Sequence, residues 1–101
     1  MDAKAIIKVD RDALAQVCRR YGVTELSLFG SAARGGLRPE SDIDLLVTFE
    51  TEASVTLFTL VDLQEELSQL LGRPVDLVPK GGLKPALKSE VLAEARILYA
   101  A

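Results

Sequence analysis

The sequence predicts an α/β (α+β) domain, a small three-stranded mixed sheet flanked by about four helices. Three observations carry that prediction. Short aliphatic runs at residues 26–29, 43–47 and 75–78 are bounded by Gly, Ser and Pro, as buried strands are. Between and after them lie stretches with apolar residues at i, i+3, i+4 and i+7, the helical period. Finally, 101 residues with 49% hydrophobic and 27% charged side chains form one globular domain, residues 1–101, able to bury a modest core.

In chain order, residues 1–9 are a weakly structured lead in which Ile6, Ile7 and Val9 pack. Asp10 is an N-cap for a helix to about Tyr21, with Leu14, Val17, Cys18 and Tyr21 on one face and Gly22 as its stop. Cys18 therefore reads as core. The first strand is Glu25 to Phe29, followed by a Gly-Ser loop and a short helix, Ser31 to Arg34. Gly35-Gly36 turns the chain, and Pro39 sets the return into a second strand from Asp42 to about Phe49. Short connections make these two strands antiparallel neighbours. Ser54 or Thr56 opens the next helix through Leu57, Leu60, Val61, Leu63, Leu67, Leu70 and Leu71, ended by Gly72, with Glu65 and Glu66 on its solvent side. That helical crossover is long enough to lay the third strand, Pro74 to Val78, parallel to the second. After the loop Pro79-Lys80-Gly81-Gly82, Leu83 to Ala100 reads as one last helix, with Leu87, Val91, Ala95 and Leu98 as its stripe.

Composition excludes several classes of function. A net charge of −3 argues against a duplex nucleic-acid binder, whose affinity rests on cation excess. Arg19, Arg20, Arg34 and Arg38, with Lys4 or Lys8, leave a small basic area near the loop that suits a nucleotide better. No histidine is present, so imidazole chemistry is excluded. The single cysteine can form no internal disulfide, which fits a reducing compartment. No signal peptide and no apolar run of about 18 residues is seen, so a soluble, cytoplasmic protein with no membrane association is expected.

The chemistry concentrates between Leu26 and Val47. Asp42 and Asp44 alternate at the start of a strand, so they share a face about 6.6 Å apart along the backbone, while Ile43 and Leu45 turn into the core. Two such carboxylates repel unless something positive joins them. Hard oxygen ligands suit Mg²⁺, which takes one or two carboxylates plus substrate phosphates. Gly30, with no Cβ, lets a phosphate approach the backbone. Ser31 offers a hydroxyl and an N–H at a helix start, and Arg34 and Arg38 add guanidinium forks for phosphate oxygens. Ser41, directly before Asp42, is counted among the nucleotide-binding residues with Gly30, Ser31 and Arg34.

Gly30-Ser31, ten intervening residues and Asp42-x-Asp44 resemble the signature of the DNA polymerase beta nucleotidyltransferase superfamily, and in length and loop the chain is similar to its minimal nucleotidyltransferase (MNT) domains. Arg73-Pro74-Val75-Asp76-Leu77-Val78 resembles the family's third strand. The resemblance implies that Asp76 completes a catalytic, metal-binding triad with Asp42 and Asp44 at a two-Mg²⁺ site. It implies AMP transfer from ATP to a hydroxyl, a tyrosine, of a cognate HEPN-domain RNase toxin, for which the chain would be the antitoxin in a hetero-oligomer. Two alternatives stand beside it: a non-catalytic antitoxin that neutralises the toxin by binding, and a transferase acting on a small, aminoglycoside-like molecule.

Overall fold

The computed structural model describes residues 9–33 and 42–101. Its element order is α1 (Arg11–Tyr21), β1 (Val23–Phe29), the single-turn α2 (Gly30–Ala33), β2 (Ile43–Phe49), α3 (Leu57–Leu71), β3 (Val75–Pro79), a 3₁₀ turn at Lys80–Gly82, α4 (Pro85–Glu94) and β4 (Arg96–Ala100). The expected packing of Ile6 and Ile7 lies outside the described residues, as do Arg34, Arg38 and Ser41. Of Ser31 only the backbone is described.

Local rules set most boundaries. The Asp10 carboxylate accepts from the Asp12 and Ala13 N–H groups at 2.9 and 3.2 Å, which satisfies donors that the first turn of α1 leaves unpaired. Gly22 and Gly72 end α1 and α3 in the left-handed region, at φ 71°. Thr56, not Ser54, caps α3 through a reciprocal box with Thr59.

The sheet has four strands in the order β3-β2-β1-β4. β1 and β2 are antiparallel, and β2 and β3 are parallel, as the loop and crossover lengths predict. The three-stranded expectation is corrected by β4. The chain leaves the helical region at Ala95 (ψ 139°), so Leu83–Ala100 is a shorter helix followed by a strand antiparallel to β1. A register shift between Leu26 and Ser27 accompanies that pairing and lets Leu98 join the core. The stripe expected along one helix is thereby broken, and Leu87 is left exposed.

α1 and α3 cover one face of the sheet. Leu14, Val17 and Cys18 from α1 and Leu63 and Leu67 from α3 close over Leu26, Leu28, Ile43, Leu45, Val47, Val75 and Leu77. Cys18 is fully buried, and burial pushes its thiol up to about 12, so it stays protonated and packs as a small hydrophobe. The expected apolar stripe of α3 is narrower than its sequence pattern, because Leu57 and Val61 face solvent. Glu66 departs from the solvated role expected of it. It accepts a hydrogen bond from the Tyr21 hydroxyl and pairs with Arg20 at 3.0 Å, pinning α1 to α3 and raising the Tyr21 hydroxyl to about 12.

Candidate active site

β1 ends at Phe29 and β2 begins at Ile43, and their antiparallel register pairs Phe29 with Asp44. The parallel register of the next pair places Asp44 directly opposite Asp76. Asp42 immediately precedes β2. Asp76, distant in sequence, therefore reaches the same end of the sheet as Asp42 and Asp44, where the crossover through α3 was expected to bring it. Arg19 and Arg20 do not share that end. They occupy the last turn of α1, beside the opposite end of the sheet, where Gly22 approaches Ala53 and Glu50. The basic area expected from them near the loop is thus corrected.

Gly30 sits at the end of β1, against the Asp44 side chain. Its φ of 66° is left-handed, and a Cβ built on it would lie 2.5 Å from the Asp44 carboxylate oxygen. A side chain there would strain the backbone and displace the carboxylate as well. The glycine is thus required by Asp44, in addition to any phosphate.

The position of Asp76 is fixed from both sides. On the outer edge of β3, the Val75 N–H donates to Ser68 Oγ and the Leu77 N–H to Gln64 Oε1, both at 3.0 Å. Two polar residues of α3 thus satisfy an edge strand that would otherwise present free donors, and they bracket Asp76. This support was missed in the sequence, where nothing singled out Gln64 or Ser68. Phe29 was also read merely as apolar, yet the register makes it the cross-strand neighbour of Asp44.

Electrostatics mark Asp44 as the strained member. Burial pushes its carboxyl above the ordinary carboxylate value, and the charges of Asp76 and then Asp42 push it further. Like charges so placed favour either a proton or a cation. An all-oxygen donor set with these charges fits a hard divalent ion such as Mg²⁺. Among the described residues, no three His, Cys, Asp or Glu side chains are gathered tightly enough to hold an ion as they stand. No described helix is long and apolar enough to cross a membrane.

Paired carboxylates at adjacent strand ends beside a glycine turn suit a nucleotidyl-transferring class of enzyme. Residues 11–99 match the nucleotidyltransferase domain family, and the chain belongs to it. It is similar to protein adenylyltransferase MntA of Thermococcus cleftensis, with 45% identity over 75 residues, 74% of each chain. Among solved structures it resembles "Structure of putative minimal nucleotidyltransferase", at 42% identity and a TM-score of 0.74 over 94% of both chains. It also shares the fold of one chain in the structure of a tri-AMPylated Shewanella oneidensis HEPN toxin in complex with MNT antitoxin, at a TM-score of 0.63 and 21% identity, covering 89% of this chain and 69% of that one.

Proposed function

We propose that this enzyme is a cytoplasmic, Mg²⁺-dependent protein adenylyltransferase that moves AMP from ATP onto a tyrosine hydroxyl of a cognate HEPN RNase toxin, and so acts as its antitoxin. The observation that carries the reading is the Asp44–Asp76 register beside Gly30, with the Asp44 carboxyl raised above its ordinary value by burial and then by its acidic neighbours. The likeness to a named protein adenylyltransferase supports a protein as the acceptor.

In this reading Asp42, Asp44 and Asp76 hold Mg²⁺, which when bound supplies charge stabilisation for the triphosphate and the attacking oxygen. Gly30, Ser31, Arg34 and Ser41 receive the nucleotide, with Ser31 and Arg34 on its β and γ phosphates. The acceptor oxygen forms a bond to the α-phosphorus as the bond to pyrophosphate breaks. Asp76 takes the hydroxyl proton, and pyrophosphate leaves. Most of the acceleration comes from orientation and electrostatics, as general for phosphoryl transfer.

The test is incubation with Mg²⁺, labelled ATP and the toxin encoded beside it, followed by intact mass of both chains. Addition of one or more AMP units to the toxin, lost with Asp44→Ala, is the expected result. Asp76→Ala should abolish the mass gain while toxin binding survives. If that variant still neutralises the toxin in cells, the catalytic reading falls and simple binding replaces it.

A further inference from the structure

The helix that carries the crossover has two unlike halves. Its second half, with Leu63 and Leu67 buried, belongs to the core, but its first turns leave Leu57 and Phe58 at 73% and 80% exposure, with Val61 at 51% and Val55, just before the cap, at 37%. Residues 57, 58 and 61 are neighbours on the helix surface by the i+3 and i+4 rule. Contiguous apolar surface on one face of a fixed helix is the kind of surface that a partner covers. The element is rigid, because the Thr56–Thr59 capping box fixes its start and the core holds the rest.

Charge around the patch selects the occupant. Exposed Asp62 and Glu65 follow it along the helix and exposed Glu52 precedes it in the chain; no lysine or arginine occurs from residue 39 to residue 72, and Arg20 of α1, on the flank of the helix, is already paired with Glu66. A second copy docking by two-fold symmetry would bring this acidic rim against itself, which reduced dielectric penalises. The chain's own apolar and basic stretch, Lys84, Leu87 and Lys88, would meet the patch only head to tail, and Glu90 follows within a turn.

We propose that residues 55–61 and their acidic rim are a docking surface for a partner protein whose contact face is apolar at its centre and edged by lysine and arginine. This rests on the reading that the acceptor is a protein. The patch stands at the start of α3, and the site lies near its far end, about 22 Å away for fifteen residues of helix. Docking therefore anchors the partner at a distance from the carboxylates and leaves them free for the acceptor segment.

The experiment measures affinity of the intact protein for the toxin encoded beside it, at low and physiological salt, for wild type, Leu57→Ser/Phe58→Ser and Asp62→Lys/Glu65→Lys. The first variant should weaken binding by at least about thirtyfold, the range of interface hot spots. The second should weaken it and flatten its salt dependence. Both should keep the wild-type melting temperature and affinity for an ATP analogue, since the residues are exposed and remote from the site. Unchanged toxin affinity in both variants overturns the surface while leaving transfer to the toxin intact. Self-association in sedimentation that the same substitutions abolish would instead assign the face to a second copy and overturn the proposal. Failure of the wild type to bind the toxin at all, with nucleotide binding retained, overturns the surface and the protein-acceptor reading together.

Discussion

On β2, Ile43, Leu45 and Val47 turn toward the helices, while Asp44 and Leu46 turn the other way. The first three are buried to 1% exposure or less within the core cluster, whereas Leu46, though buried, lies outside it and Asp44 is half-buried. Alternate residues of one strand thus meet opposite constraints. The helix-covered face is optimised for close packing, and each side chain there contributes stability. The other face retains a carboxylate whose neighbours make it costly to ionise, an arrangement stability alone would not select.

The sharpest test of that contrast is Leu45→Ala, which should cost about 2–5 kcal/mol in urea or thermal melts by opening a cavity in the covered face. A cost below about 1 kcal/mol would show that the face is not tightly packed. Next in size are two glycines that share a left-handed φ, 66° at Gly30 and 71° at Gly72. Gly30→Ala and Gly72→Ala should each lose about 1–2 kcal/mol from left-handed geometry. Nothing lies within 4 Å of a Cβ at Gly72, whereas at Gly30 the Asp44 carboxylate must move. Only Gly30→Ala should therefore lower AMP transfer, on the order of a hundredfold. Equal activity in the two variants would break the link between Gly30 and Asp44.

The smallest effect carries the opposite sign. A carboxyl raised in the folded state binds its proton more tightly there than when unfolded, so its contribution makes stability fall as pH rises from 3.8 through the raised value, with the full penalty present at neutral pH. Asp44→Asn should remove that slope and melt at or slightly above the wild-type temperature at pH 7, while transfer is lost. A lower melting temperature would mean that Asp44 stabilises the fold.

Much of this architecture was legible in the residues. Asp10, Gly22 and Gly72 announce helix ends by their own chemistry, and the crossover length dictates a parallel β2–β3 pair, from which the Asp44–Asp76 meeting follows. β4 was not legible, because Leu87, Val91 and Ala95 continue a helical spacing with no glycine or proline to interrupt it. Ile97 and Tyr99 were the available signal, a β-branched and an aromatic residue suited to a strand. What decides the matter is an open edge on β1, a tertiary demand that local pattern does not contain. The excess apolar width of α3 misled in the other direction, since periodicity records which residues are apolar and not which of them the sheet can cover.

The pairing of β1 with β4 joins Glu25 to Ala100, partners separated by three-quarters of the chain. Closing so large a loop carries an entropic cost that local hairpins avoid. The β1–β2 pair and the packing of α1 and α3 should accordingly form first, with residues 96–100 docking as a late folding step. Strand β4 would then be the first part of the sheet to exchange its amide hydrogens, opening while the carboxylate end stays assembled.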